Sequence, residues 1–360
     1  MSTTAHAPAP LDEARVNAFV GKMLGDIGAT LSGALVIVGD RLGFYRALAE
    51  HGAMTSRELA RATGTHERYV REWLANQAAS GYLEYDAHAA SFTLPREHQP
   101  VLADETSPVL LCGLYAIAQT MFVDEPKITE AFITGHGFGW HEHDERLFAA
   151  TERFFRPGYN ANLVSSWIPA LDGVQEKLRR GASVADVGCG YGTSTIVMAK
   201  AFPNSHFTGF DYHAGSIEAA RKAASAAGVA ARVHFEVASA QTFAGTGYDF
   251  ITCFDCVHDM GDPGGAAKHI RAALAPEGTF MMVEPFAGET LEDNLNPVGR
   301  IFYAASTLLC TPASVAQDVG LALGAQAGEG RMREIFTGAG FSQFRRATET
   351  PFNLVFEAKP

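Results

Sequence analysis

Apolar residues near the start of the chain recur at intervals of three and four, a spacing that traces one face of a helix. This apolar stripe consists of Val16, Phe19, Val20, Met23, Leu24, Ile27, Leu31, Leu35 and Val38. Several glycines lie among these residues and lower the helix propensity, so the helix must gain stability from packing. The pattern leaves two partners open: the core of the same chain, or a second subunit.

The following segment has the pattern of a winged helix. Thr55 and Glu58 form a capping box at the start of TSRELARATG, and Gly64 ends that short helix. Thr65 starts a second helix, HERYVREWLANQAASG, and the segments GYLEY and SFTL then flank the turn DAHAA as short strands. Helix, turn, helix and hairpin in this order predict a winged-helix module.

The charge of this module does not favour DNA binding. Between Ala53 and Asp86 the chain carries four arginines against five acids. Contacts with phosphates need a surplus of basic residues, which this segment lacks. We therefore favour a module for dimerisation and for covering a substrate over one that binds DNA.

The C-terminal half alternates short strands with helices, as expected for a mostly parallel sheet flanked by helices. The strand candidates are SVADVG, HFTGFD, VHFEVA, YDFITCFD and GTFMMVEP. The last two strands, FSQFRRATE and FNLVFEAK, are separated by so few residues that they must be antiparallel neighbours. The sequence thus predicts a helical and winged-helix region over 1–105, a helical connector over 106–175 and an α/β domain over 176–360, with a lid insertion at about 286–326.

A glycine-rich loop follows the first strand of this domain. Asp186, Gly188, Gly190 and Gly192 form the pattern D-x-G-x-G-x-G, in which glycines let the backbone turn sharply and approach a ligand. The spacing is not the GxGxxG of nicotinamide-binding folds, and Asp186 would repel a pyrophosphate. A cationic cofactor gains from the same carboxylate.

The second strand ends at Asp211, nineteen residues after Gly192, where an acid can accept the hydroxyls of a ribose. Tyr212 beside it is a candidate to pack against the ribose or the adenine. A helix cap is the alternative role of Asp211, but a cap does not explain its coincidence with the glycine loop.

With these motifs, nearly the whole chain resembles bacterial class I methyltransferases that use S-adenosylmethionine (SAM) and carry an N-terminal winged-helix domain. The resemblance implies an α/β fold with a Rossmann-like sheet, SAM as cofactor and S-adenosylhomocysteine as product. It also implies that Asp186 and the glycine-loop backbone hold the methionyl part of SAM. The implied cofactor-binding residues are Tyr159, Asp186, Gly188, Cys189, Gly190, Asp211, Tyr212, Ser239, Ala240 and Asp255.

The segment that follows the fourth strand resembles the catalytic loop of small-molecule O-methyltransferases. By this resemblance His258 is the general base, and Asp259 orients it or caps the next helix. The alternative is a histidine that only packs near the cofactor, since thiol or amine acceptors need little help from a base. Two positions depart from the family pattern: Ser239 stands where an acid often reads the adenine, and Met260 where an aromatic residue is common.

Composition excludes several other classes of protein. The net charge of -12 disfavours nucleic acid as the main partner. The start, MSTTAHAPAP, lacks the pattern of an export signal, and no apolar run approaches the ~20 residues of a membrane span, so we expect a cytoplasmic protein. Five scattered cysteines predict reduced thiols, and the pair Cys253 and Cys256 lies at a strand end, which disfavours a redox role.

We therefore predict a homodimeric SAM-dependent methyltransferase that acts on a hydroxyl or thiol of a small molecule. No metal site is predicted, because the spacing of His136, His141 and His143 matches no established ligand motif. Two alternatives remain open at this point: a SAM-responsive transcription regulator that binds DNA, and a methyltransferase that acts on a protein or an RNA.

Overall fold

The structure is a computed structural model that describes residues 11–360; the first ten residues, on which the expectation of no export signal rests, lie outside the described part. The described chain divides into two compact units. The N-terminal unit comprises residues 11–105 and 110–115, and the C-terminal unit comprises residues 106–109 and 116–360. Most of the predicted connector, residues 116–175, thus belongs to the C-terminal unit.

The N-terminal unit contains the predicted order of helix, turn, helix and hairpin. Its elements are α1 (Glu13–Leu42), α2 (Phe44–His51), α3 (Ser56–Thr63), α4 (Glu67–Ala79), β1 (Glu84–Asp86), β2 (Ser91–Thr93) and α5 (Gln99–Leu102). The predicted capping box of Thr55 and Glu58 begins α3, and Gly64 ends it with a φ of +65°. Strands β1 and β2 are antiparallel and form the wing.

The apolar stripe of α1 lies outside the core of its own unit. Phe19 is 62% exposed, Leu24 65% and Leu31 70%, whereas Val36 and Ile37 are buried. The stripe and the buried face therefore lie on different sides of the helix. The sequence left open whether the core of the same chain or a second subunit covers the stripe. The structure shows that the core of the same chain leaves most of it exposed.

Helix α1 is also, by length and composition alone, the one helix among the described residues that could cross a membrane. This differs from the expectation that no apolar run approaches that length. However, α1 carries an ion pair near its middle, between Lys22 and Asp26 at 2.6 Å. Charged groups are costly inside a bilayer, so this pair argues against a membrane span.

The C-terminal unit is built on a seven-stranded sheet in the order β5-β4-β3-β6-β7-β9-β8. Its strands are β3 (Ser183–Val187), β4 (His206–Asp211), β5 (Val233–Val237), β6 (Tyr248–Phe254), β7 (Leu274–Pro285), β8 (Gln343–Glu349) and β9 (Asn353–Lys359). The first five of these strands are parallel, and β9 runs antiparallel to both β7 and β8. The predicted mostly parallel sheet with an antiparallel C-terminal strand is confirmed.

The remaining α-helices of the described chain lie between residues 112 and 338. They are α6 (Cys112–Thr134, which begins in the N-terminal unit), α7 (Arg146–Asn162), α8 (Val174–Arg180), α9 (Thr193–Ala201), α10 (Ala214–Ala226), α11 (Pro263–Ala273), α12 (Pro297–Ala305), α13 (Thr311–Val315) and α14 (Gly328–Gly338). A π-helical turn, Ser306–Cys310, joins α12 to α13 within the predicted insertion. Because β3 lies between β4 and β6, the loops after these three strands meet at one edge of the sheet.

The packing of α1 against α4 gives a test of the N-terminal core. Trp73 donates a hydrogen bond from Nε1 to the carbonyl of Leu35 at 2.8 Å, and its ring lies directly over Gly39. A Cβ atom at Gly39 would lie 2.3 Å from the Trp73 ring. We expect Gly39→Ala to destabilise the protein by about 1–3 kcal/mol, because the buried ring has to shift.

Urea unfolding at a fixed protein concentration measures this change, with Gly28→Ala in the same helix as the control. An added Cβ at Gly28 meets nothing within 4 Å, so the control should be neutral or stabilise by about 0.5–1 kcal/mol through helix propensity. Equal unfolding midpoints for the two variants would contradict the close packing of Gly39.

Candidate active site

A cleft lies at the carboxyl edge of the C-terminal sheet, where loops after parallel strands converge and ligands commonly bind. It encloses about 1280 Å³ of space, counting the part that is open to solvent. Ten of the twelve predicted site residues line it: Tyr159, Gly188, Cys189, Gly190, Asp211, Tyr212, Ser239, Ala240, Asp255 and Asp259. The remaining two, Asp186 and His258, are buried behind the wall of the cleft.

The glycine loop needs its glycines for close packing as well as for its turn. Gly188 has a φ of +75°, and a Cβ there would lie 2.6 Å from the sulfur of Cys256. Gly192 has a φ of +77°, and a Cβ there would lie 2.4 Å from the ring of Phe235. Both positions therefore exclude a side chain on two separate grounds. The loop is held against the end of β4 and leaves its backbone facing the cleft.

Asp186 supports this loop from below. Its Oδ2 atom accepts hydrogen bonds from the hydroxyls of Ser194 and Thr195, both at 2.6 Å, and its Oδ1 atom accepts one from Thr252 at 2.9 Å. Burial raises the pKa of Asp186, and the three hydroxyl hydrogen bonds oppose that shift. The resemblance implied that Asp186 and the glycine-loop backbone hold the methionyl part of the cofactor; in the structure Asp186 is fully buried and does not itself line the cleft.

Asp211 has the position and hydrogen bonding expected of a ribose acceptor. Its Oδ2 atom accepts from the backbone N–H of Gly190 at 2.9 Å, and its Oδ1 atom from the N–H of His213 at 2.8 Å. Burial raises the pKa of Asp211, while the two backbone hydrogen bonds lower it. A carboxylate oxygen can accept more than one hydrogen bond, so both oxygens can still receive hydroxyl donors from the cleft.

Asp255 is the strained residue of the site. It follows β6 with a φ of +49°, which is unusual for a residue other than glycine and is common at functional sites. Its Oδ1 atom accepts from Asn353 at 3.1 Å, but its Oδ2 atom is buried without a hydrogen-bond partner. Burial, and next the negative Glu284, raise the pKa of Asp255 well above its usual value. A bound cation would relieve both effects.

Two aromatic side chains outside the cofactor motifs also belong to the cleft. Trp140 and Phe148 line it, and the Phe148 ring stacks on His213 with centroids 4.4 Å apart. Next to Ser239 and Ala240, the cleft also includes Gln241 and Asp262. These residues come from separate segments, so only their position in the fold connects them.

Behind the cleft, His258 forms a buried pair with Glu284, which lies near the end of β7. The Nδ1 atom of His258 lies 2.5 Å from Oε2 of Glu284, and the other carboxylate oxygen accepts the N–H of Val257 at 3.0 Å. On the other side, Nε2 lies 3.2 Å from Oδ1 of Asp259. This contact has the length of an ion pair, yet Oδ1 has no aligned hydrogen-bond donor.

The surroundings of His258 favour its protonated form. Burial alone lowers the pKa of His258, but the carboxylates of Asp259 and Glu284 outweigh burial and raise the pKa well above its usual value. Glu284 was missed in the sequence because a single acid at the end of a buried strand carries no local motif. Its proximity to His258 depends on the pairing of β6 with β7.

The predicted lid insertion contributes two residues to the cleft. Ala313 and Gln317 line the cleft, and the side-chain amide of Gln317 donates to the carbonyl of Asp259 at 2.9 Å. Cys310, also in this insertion, lies beside His258 and Asp259.

The loop that contains His136, His141 and His143 is held by hydrogen bonding within the protein. His143 is buried, and its Nδ1 atom lies 2.9 Å from Oδ2 of Asp124. Within residues 11–360, none of His136, His141 and His143 belongs to a group of side chains that converge as metal ligands. In the CxxC pair, a hydrogen bond with Cys253 and burial raise the pKa of Cys256, which does not suit a redox nucleophile.

The cleft fits the SAM that the resemblance implies. SAM carries a cationic amino group and a sulfonium, and the cleft offers half-buried carboxylates at Asp211 and Asp255. The unpartnered Oδ2 of Asp255 is an acceptor suited to an ammonium group. Asp211 and the Gly190 backbone suit a ribose beside the glycine loop.

Two sequence families match this chain. A model of the family described as "Methyltransferase domain" matches residues 178–340. A model described as "Rv2258c-like winged HTH domain" matches residues 30–104. The two matches correspond to the sheet domain and to the winged-helix module.

The curated relatives match shorter segments. An uncharacterized protein of Synechococcus sp. is 33% identical over 97 residues, 26% of this chain and 23% of that protein. A ubiquinone biosynthesis O-methyltransferase of Actinobacillus pleuropneumoniae is 31% identical over 119 residues, 31% of this chain and 49% of that enzyme. This chain thus matches less than half the length of these curated relatives.

Solved structures match nearly the whole chain. The mitomycin 7-O-methyltransferase MmcR superposes with a TM-score of 0.67 at 20% identity, covering 96% of this chain and 100% of that one. Human N-acetylserotonin methyltransferase in complex with SAM gives 0.68 at 15% identity, covering 98% and 99%. At such low identity these likenesses establish the fold. Together, the comparisons show that the chain carries a methyltransferase domain and an Rv2258c-like winged-helix domain, and that it has the fold of these solved methyltransferases.

Proposed function

We propose that this protein transfers a methyl group from SAM to a hydroxyl group of a small molecule. The observation that carries the proposal is the chain of side chains Glu284, His258 and Asp259, which leads from the buried end of β7 to the cleft. Thiols and amines need little help from a base, whereas hydroxyls need their proton removed.

The cofactor supplies an electrophilic methyl group on a cationic sulfur, and the chain supplies binding and orientation. Asp211 and the backbone of Gly190 receive the ribose, and the Oδ2 atom of Asp255 accepts the amino group. Ser239, Ala240 and Tyr212 form the wall for the adenine, while Tyr159 closes the methionyl end. Asp186 acts indirectly, by holding the glycine loop in place through Ser194 and Thr195.

We expect Asp211→Asn to weaken the binding of SAM and of S-adenosylhomocysteine by about 10- to 100-fold, because one carboxylate serves several hydrogen bonds. Isothermal titration calorimetry measures the affinities. Asp172→Asn is the control, since that carboxylate is 70% exposed and lies off the cleft. Unchanged affinity in Asp211→Asn would contradict the placement of the ribose.

His258 is the general base in this proposal. Glu284 accepts the hydrogen of Nδ1, which directs Nε2 towards Asp259. Of these three residues only Asp259 lines the cleft. The proton of the acceptor hydroxyl therefore reaches the imidazole of His258 on the side where Asp259 lies. The two carboxylates stabilise the imidazolium that forms when the proton arrives.

Removing His258 tests whether it acts as the base, because the loss of activity should depend on the acceptor. With hydroxyl acceptors, we expect His258→Ala to lower kcat by about 10²- to 10⁴-fold, and with thiol acceptors to lower it little. The neutral imidazole is the active form, so wild-type activity should rise with pH through the raised pKa of His258. Glu284→Gln removes one of the charges that raise this pKa, so its activity limb should move to lower pH.

The release of S-adenosylhomocysteine, measured across pH with a panel of phenols and aryl thiols, reports both effects. Glu277→Gln is the matched control, because Glu277 is exposed at the other end of the same strand. A drop of less than about 10-fold in His258→Ala with every hydroxyl acceptor would rule out general-base catalysis by this residue.

The protein is proposed to be a cytoplasmic homodimer that pairs through α1. Eight apolar side chains of the stripe are exposed, as is typical of a protein–protein interface, and the ion pair of Lys22 and Asp26 disfavours a membrane as their partner. DNA is disfavoured because both arginines of α4 pair with acids of the same helix: Arg68 with Glu72 at 2.6 Å, and Arg71 with Glu67 at 2.7 Å.

Introducing negative charges into the apolar stripe tests whether α1 forms the dimer interface. We expect the double variant Phe19→Glu and Leu24→Glu to convert a dimer into a monomer, because two charges cannot be buried in an apolar interface. Sedimentation velocity measures the change. Ala18→Glu is the control, since Ala18 is exposed on the opposite side of the same helix. A wild-type protein that sediments as a monomer at all concentrations would disprove the proposal.

A further inference from the structure

The loop after β6 and the π-helical turn of the insertion bring together three side chains of different chemistry. One ligand atom each from His258, Asp259 and Cys310 lies within 4.8 Å of the other two. Within residues 11–360, no other group of at least three histidine, cysteine or acidic side chains converges in this way. Imidazole, carboxylate and thiolate together form a ligand set that suits zinc and related cations.

We propose that His258, Asp259 and Cys310 bind a thiophilic divalent cation such as Zn²⁺, and that the bound ion occupies the imidazole nitrogen needed for methyl transfer. The inhibitory part of this inference rests on the proposed role of His258 as base. The binding site itself does not.

Glu284 prepares His258 to act as a ligand. A histidine that binds a metal usually donates its other N–H to a carboxylate, which fixes the ring and the tautomer. The contact of Nδ1 with Glu284 at 2.5 Å provides this arrangement. Nε2 is then directed to the side where Asp259 lies, at 3.2 Å. The Oδ1 atom of Asp259 is buried without a hydrogen-bond donor, so it is free to coordinate.

Cys310 completes the set from the insertion. It is buried in the π-helical turn Ser306–Cys310, and such turns within helices occur frequently at functional sites. Atoms that bind tetrahedral zinc lie about 3.4–3.8 Å apart, so the three side chains need to close by up to about 1 Å. On binding, the thiol of Cys310 and Nε2 of the imidazolium each release a proton to the buffer, and the two side chains coordinate as thiolate and neutral imidazole.

The ion can enter the site from the cleft, and once bound it would block the base. Asp259 lines the cleft and its side chain is 25% exposed, so the site opens towards the cleft. Three protein ligands leave one position of a tetrahedral ion vacant, on the side that the cleft reaches. The ion would also tie the loop after β6 to the insertion, and His258 could no longer accept a proton through Nε2.

Cobalt is the probe for this site, because a Co²⁺–thiolate bond produces a charge-transfer band in the near ultraviolet. Metal-free, full-length protein is titrated with Co²⁺ and then with Zn²⁺. We expect one Co²⁺ per chain with a thiolate band that Zn²⁺ abolishes. The band should be absent in Cys310→Ser. In Glu284→Gln the band should persist, but the affinity for Co²⁺ should be about 10- to 100-fold weaker. This is the usual effect of losing the carboxylate that hydrogen-bonds a metal-binding histidine.

Cys256→Ser is the matched control. Its thiol lines the same cleft and contacts the carbonyl of Val187 at 3.5 Å, but it does not belong to the three-residue group. Circular dichroism and S-adenosylhomocysteine binding confirm that each variant is folded. No thiolate band in the wild type, or a band that survives in Cys310→Ser, would overturn the site.

Turnover measured with and without Zn²⁺ tests the inhibitory part separately. Inhibition that disappears in Cys310→Ser supports it. A cation bound through Cys310 that leaves hydroxyl methylation unchanged would keep the site and refute the link to His258. Because cobalt binding is read without any methyl transfer, failure of the site and failure of the proposed function are distinguishable.

Discussion

A single buried carboxylate holds together the elements that form the cleft. Asp186 ends β3 and accepts hydrogen bonds from two hydroxyls of α9 and one of β6. A buried charge is costly unless it is fully hydrogen-bonded, so these contacts fix the spacing of one helix and two strands. The glycine loop, which begins just after Asp186, takes its path from this arrangement. The position of Asp211 next to Gly190 depends in turn on that path.

Four acids lie in the cleft or next to it. Asp211 and Asp255 face the cleft, Asp259 lies at its edge, and Glu284 lies behind it. Burial and mutual repulsion raise the pKa of Asp255, so the site is poised for a positive charge. A sulfonium cofactor with an ammonium group meets this requirement, whereas a pyrophosphate does not. Electrostatics and the fold therefore point to the same cofactor.

The region around His258 combines two chemistries that exclude each other at one atom. A proton and a soft cation both bind the imidazole at Nε2, and Glu284 supports either by holding Nδ1. Asp259 connects this region to the cleft, and Cys310 connects it to the insertion. Under the two proposals, a cation would control catalysis by competing with the proton for this nitrogen, without any change in the cofactor site.

The sequence by itself determined the periodic features and the continuous motifs. The capping box of Thr55 and Glu58, the antiparallel last strands and the glycine loop after β3 depend on neighbouring residues, so local pattern was sufficient to predict them. Only the tertiary structure decided what depends on contacts between distant segments. It placed Asp186 beneath the loop, paired Glu284 with His258, brought Cys310 to both His258 and Asp259, and exposed the apolar stripe of α1. Such contacts are set by strand order and helix packing, which no short stretch of sequence encodes.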